Sequence, residues 1–161
     1  METIDGIDLN GFSPAVTIKN LHNTRCTNVP TAAGVYVVVR TENTAPKFLS
    51  ESRAGWFKGQ DPSYREHIVR DSWVDGATVI YVGKAGGRNG LRQRVRQLVD
   101  FAYGNAIGHR GGRLLWHLAD WEDLQMHWTE CPSSSADNLE TELVEHFRQM
   151  HGDRPFANMT K

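Results

Sequence analysis

Two stretches of nearly continuous apolar residues, β-branched and aromatic, stand out along the chain. Gly34 to Arg40 (GVYVVVR) is bounded by Pro30 and a polar stretch beginning at Thr41, and Thr78 to Val82 (TVIYV) has the same character. Each predicts a strand. Strands without polar alternation are expected where a sheet is covered on at least one face. Leu124 to Thr129 instead alternates Leu, Met and Trp with Gln, His and Thr, and predicts a third strand. The period then changes. Leu91, Val95, Leu98, Val99 and Ala102 fall on one face of a helix that follows the four-glycine loop Gly83 to Gly90. Leu139, Leu143, Val144, Phe147 and Met150 form the apolar stripe of a last helix. The Ser133-Ser134-Ser135 run offers its N-cap, with Asp137 three residues after Ser134, and Gly152 and Pro155 end it. Short helices are expected at Leu114 to Leu118 and within Pro62 to Val74. The arm up to residue 29 reads as irregular, with one short strand near Ala15 to Ile18.

These elements predict an α/β (α+β) fold: a small, mainly antiparallel three-stranded sheet flanked by helices. With 161 residues, 39% of them hydrophobic, the chain has the size of one domain, residues 1–161, with an arm at 1–29 and an insertion at 41–77 between the first two strands. The longest apolar runs are strand-sized, which excludes a membrane span, and the N-terminus begins with acids and not with a targeting pattern. Cys26 and Cys131 are too few for a disulfide framework or a zinc site, and read as reduced thiols in a cytoplasmic, intracellular protein.

Charge changes the picture more than composition does. The net charge is -1, yet Lys84 to Arg113 holds seven bases (Lys84, Arg88, Arg92, Arg94, Arg96, Arg110, Arg113) against one acid, Asp100. Such a basic segment on an acidic body can engage phosphates at one face, although Arg-rich helix faces are also common as plain solvated surface. The glycine loop lacks both G-x-G-x-x-G and a terminal G-K-[ST], so a nucleotide-binding phosphate loop fails on spacing.

Gly34-Val35-Tyr36 and Tyr81-Val82-Gly83, followed in order by Leu91-Arg92-Gln93-Arg94, Leu139-Glu140 and Pro155-Phe156-Ala157-Asn158, resemble the GIY-YIG nuclease superfamily. The YVGKA segment is especially similar to the incision subunit of bacterial nucleotide excision repair. The resemblance spans Pro30 to Asn158 except for the insertion. It implies a metal-dependent endonuclease acting on DNA, whether branched, damaged or a site-specific duplex, with one divalent cation, Mg²⁺ or Mn²⁺. Glu140 would be the metal ligand, Tyr81 would orient or deprotonate the attacking water with Lys84 nearby to favour the phenolate, and Tyr36 would hold water or phosphate. Arg94 would stabilise the phosphoryl charge, His109 would help activate the water, and Asn158 would bond within the site. Lys84, Arg88, Arg92, Arg96, Arg110 and Arg113 are the candidate DNA contacts.

Without the motifs each of these has an ordinary reading: packed tyrosines, a surface glutamate, an exposed loop histidine, a turn asparagine. The alternative to catalysis is a non-catalytic nucleic-acid-binding or protein-interaction module. The insertion departs from the short connection usual in the family, though strands can pair across a long loop because closure cost grows slowly with length. It could read substrate, act as a lid, or serve self-association or a recruiting protein. Its Trp56 and Trp73 are expected to pack it onto the body.

Overall fold

The long apolar run Gly34–Val39 becomes β4, and it is buried along its whole length because it is covered on both faces. In the computed structural model, which describes residues 3–56, 58–59, 61–106 and 111–159, β4 is a central strand. The chain order is β1 (Thr3–Ile4), β2 (Ile7–Asp8), β3 (Val16–Thr17), α1 (Ile18–Asn23), β4, α2 (Glu66–Ser72), β5 (Val79–Ala85), α3 (Gly90–Ala102), β6 (Gln125–Glu130) and α4 (Ser133–His151). Two 3₁₀ turns, Arg113–His117 and Trp121–Asp123, connect α3 to β6.

The main sheet has four antiparallel strands in the order β3-β6-β4-β5, and β1 pairs with β2 in a separate hairpin. The architecture is therefore α+β. The expected three strands are all present, and Val16–Thr17 adds a fourth at the edge by pairing with Met126 and Gln125. β4 and β5 pair antiparallel across the insertion, with Tyr36 opposite Gly83.

The sheet separates two apolar clusters. Val35, Val37, Val39 and Val82 face Leu143, Val144 and Phe147 of α4 together with Ile7 of the hairpin. Tyr36, Val38, Ile80 and Tyr81 face the other cluster, with Leu91, Val95 and Leu98 of α3, α1 and the 3₁₀ turns. An irregularity in the β4–β5 register brings Ile80 and Tyr81 to the same side, because Val38 pairs with Tyr81 while Val39 pairs with Val79. A bulge of this kind re-aims a side chain locally.

Several expectations are corrected. The arm is ordered: besides its strand it holds the hairpin and α1, which Thr17 caps by accepting from the Asn20 N–H. β5 runs on through Ala85, so Gly83 and Lys84 belong to the strand and not to the loop. α4 starts at Ser133 with Pro132 in the cap position, whose ring offers no acceptor for a side-chain cap bond, and Asp137 pairs with Lys84. Met150 is 60% exposed. The buried face of α4 instead runs through Ala136, Glu140, Leu143, Val144 and Phe147.

The insertion is strapped to the body. Leu49 donates its N–H to the His117 carbonyl at 2.6 Å, Ala119 to the Lys47 carbonyl at 2.9 Å, and Phe48 bridges to Leu118. Only Glu66–Ser72 of the expected 62–74 helix forms. Trp73 packs edge-on against Phe156 as expected, whereas Trp56 is 58% exposed. Among the described residues no helix is long and apolar enough to cross a membrane. Cys26 and Cys131 are both free thiols, and burial pushes Cys26 up to about 12.

Candidate functional site

One side of β5 is a free sheet edge, and an unpaired edge exposes backbone donors and acceptors that need partners. Here the chain after α4 supplies them. Ala157 donates its N–H to the Ile80 carbonyl at 2.8 Å. The Asn158 carboxamide accepts from the Val82 N–H and donates to the Val82 carbonyl, both at 2.9 Å. Asn158 therefore replaces a neighbouring strand for one residue, which fixes β5 on either side of Tyr81.

Beside this sealed edge lies a hollow of about 860 Å³. β5 contributes Tyr81, Val82, Lys84 and Ala85; α3 contributes Gln93, Arg94 and Gln97; α4 contributes Ala136, Asp137 and Glu140; the closing segment contributes Asn158 and Met159. Five of the seven residues expected to perform chemistry thus line one cavity. The sixth, Tyr36, is fully buried behind Tyr81, with the two rings 6.0 Å apart between centroids and tilted by 54°. The seventh, His109, and the candidate contact Arg110 lie outside the described residues.

Tyr36 can occupy its place because Gly83 stands opposite it: a β-carbon at position 83 would overlap the Tyr36 ring. Gly111 does the same for Tyr81, since a β-carbon there would overlap the Tyr81 hydroxyl, with a guanidinium nitrogen of Arg94 close by. The Tyr36 hydroxyl is buried without a hydrogen-bond partner among the described residues. Tyr81 and Arg94 both act on it as polar neighbours that favour its ionised form, although neither meets it at full hydrogen-bonding geometry.

The electrostatics keep both phenols protonated. Burial is the largest influence on Tyr81 and holds its hydroxyl well above the usual tyrosine value; Tyr36 and Glu140 push the same way and Arg94 opposes them. Tyr36 is raised chiefly by burial, again opposed by Arg94. Lys84 is not among the groups that act on Tyr81. It follows Gly83 on the strand and therefore leaves on the opposite face, where Asp137 of α4 pairs with its ammonium. The expectation that Lys84 favours a Tyr81 phenolate is corrected accordingly.

Arg92 and Arg94 have separate tasks. Arg92 donates to the carbonyls of Val29 at 2.7 Å and Thr27 at 3.2 Å, tying the arm to α3, whereas Arg94 lines the hollow. The first free N–H groups of α3 are also engaged, Leu91 by the Ala32 carbonyl and Arg92 by that of Pro30. Among the described residues the basic segment does not form one patch. Arg96 shares a shallow groove with Arg92 on the far flank of α3, Arg113 lies over the Phe101 ring at 5.4 Å, and Arg88 is exposed on the loop.

Glu140 is 8% exposed, and its place on the buried stripe of α4 is what carries it into the hollow. Among the described residues no group of three or more His, Cys, Asp and Glu side chains is arranged to hold a metal ion. Glu140, in an open, water-accessible hollow whose other carboxylate, Asp137, is paired with Lys84, still suits a hard cation such as Mg²⁺, which keeps several waters and takes the rest of its oxygens from one or two carboxylates and a phosphate. Gln93, Gln97, Tyr64 and Gly111 line the hollow beyond the expected residues. Gln93 and Gln97 were legible as a polar stripe with Gly90 and Arg94 at helical spacing. No family model, curated protein or solved structure matches this chain.

Proposed function

We propose that the chain is a metal-dependent endonuclease of the GIY-YIG type that hydrolyses DNA phosphodiester bonds in the hollow beside β5. The observation that carries this reading is the convergence of Tyr81, Arg94, Glu140 and Asn158, four residues from four separate segments, on one cavity.

Hydrolysis requires a water oxygen to bond to phosphorus while the bond to the leaving oxygen breaks, with one proton leaving the water and one reaching the leaving group. The buried phenol of Tyr81 is suited to orient the water by hydrogen bonding, since burial keeps it protonated. The Arg94 guanidinium, a planar fork of donors, stands where it can take up the charge that grows on the phosphoryl oxygens. Glu140 would hold the divalent cation, which when bound supplies Lewis-acid stabilisation of the phosphoryl group. Asn158 is a positioning residue that keeps β5, and so Tyr81, in register.

The test is cleavage of supercoiled plasmid and branched DNA with Mg²⁺ or Mn²⁺. Cleavage should stop with chelator, and Glu140→Ala and Arg94→Ala should each lower the rate by roughly 100-fold or more, the usual cost of losing one transition-state partner. Cleavage that persists in Glu140→Ala or in chelator would sink the mechanism. Binding without cleavage on every substrate would identify a non-catalytic nucleic-acid-binding module instead.

A further inference from the structure

The hollow has a lining residue that none of the hydrolytic roles requires. Tyr64 comes from the insertion; it is half-buried, packs against the main apolar cluster and also lines the cavity. Its placement is over-determined. The Tyr64 N–H donates at 3.0 Å to Nε2 of His117, a fully buried histidine whose Nδ1 faces the Leu49 carbonyl at 3.2 Å. Both neighbours of the imidazole are thus insertion backbone groups, so His117 ties the insertion down at the point where Tyr64 enters the site.

A volume of about 860 Å³ is in the range that encloses a whole small-molecule ligand, and a phosphodiester group alone does not fill it. The same cavity is lined by Gln93 and Gln97, whose carboxamides both donate and accept, as a nucleobase edge requires. An aromatic side chain and two carboxamides lining one cavity are the composition of a site for a base that has left its stack. Bases inside an intact duplex have no free face to offer it.

We infer that Tyr64 is a stacking platform for an unpaired base next to the scissile phosphate, so that the substrate class is DNA with displaced bases, such as a flap, branch or lesion, and not intact duplex. This rests on the nuclease reading above.

The full chain, in chelator so that DNA stays uncut, is titrated with a flap DNA carrying 2-aminopurine at the branch nucleotide and with a matched duplex. Wild type should bind the flap more tightly and quench the probe. Tyr64→Leu, which keeps the apolar packing but has no π-face, should weaken flap binding about 5- to 150-fold, abolish the quench and leave duplex binding unchanged. Tyr64→Phe should behave as wild type. Equal losses on flap and duplex, or no loss at all, would overturn the stacking role, as would Tyr64→Phe failing like Tyr64→Leu. DNA binding and cleavage that are indifferent to Tyr64 leave the nuclease reading intact, whereas a wild-type chain that binds neither probe overturns that reading and this one with it.

Discussion

A hydroxyl buried without a partner, as on Tyr36 among the described residues, costs about 1–3 kcal/mol relative to one that is satisfied. Removing it while keeping the ring should therefore leave the chain as stable as before or more so. Tyr36→Phe is expected to hold or raise the urea midpoint. If the hydroxyl finds its partner only in the loaded site, the same variant should cut DNA at least roughly tenfold more slowly. Stability and turnover moving in opposite directions is the signature; a loss of both would mean that the hydroxyl is merely structural. Residue identity also explains what sequence spacing could not resolve about the arginines. Arg92 and Arg94 sit on opposite flanks of one apolar stripe, and only the carbonyls of Thr27 and Val29, remote in sequence, assign Arg92 to holding the arm.

Elements were legible where periodicity alone decides them. β4, β5, β6, α3 and α4 fall close to the expected ranges because each carries a strong apolar pattern. The hairpin β1–β2 was missed although Asp5-Gly6 between Ile4 and Ile7 is a strong turn signal, both residues having the positive φ values that a two-residue hairpin turn requires. Its strands are only two residues long, too short to register as a pattern. The α4 face was misjudged at its far end because Met150 looks apolar, whereas Leu139 packs partly buried against the cluster as expected, and Glu140 in the buried series looks polar. An acid in line with Ala136, Val144 and Phe147 was the available signal for a lined cavity. Lys84 was misplaced because strand alternation puts it on the other side from Tyr81 and Gly83. At β5 the outer pairing of Val82 depends on a single amide: Asn158→Ala would leave the Val82 N–H and C=O buried without partners, at a cost of about 2–4 kcal/mol. Thermal or urea unfolding should show that loss, and Asn158→Asp, which keeps one acceptor and loses the donor, should recover no more than part of it.

At the scale of the molecule, insertion and body are coupled through His117. Its pKa in the folded chain is lowered from 6.5, chiefly because burial disfavours the charged ring, with the Leu49 carbonyl and Asp61 partly opposing. Between the lowered value and 6.5 the unfolded chain binds the extra proton, so stability rises with pH across that window. The contribution is fully present above the unfolded value and is lost as the pH falls through the folded one. Urea midpoints at about pH 7.5 and about pH 5 should differ more for wild type than for His117→Gln, whose amide can still accept from Tyr64 and donate to Leu49 without titrating. A wild-type difference no larger than the variant's would remove His117 from the account.

The closing segment has one more consequence. Ala157, Asn158 and Met159 form the last wall of the hollow, and all of its other lining residues precede them in the chain. During synthesis they are the last of these parts to leave the ribosome. A nascent chain can carry Tyr81, Arg94 and Glu140 and still lack the cavity that unites them, so the order of translation itself delays the appearance of a competent site until the remainder of its scaffold exists.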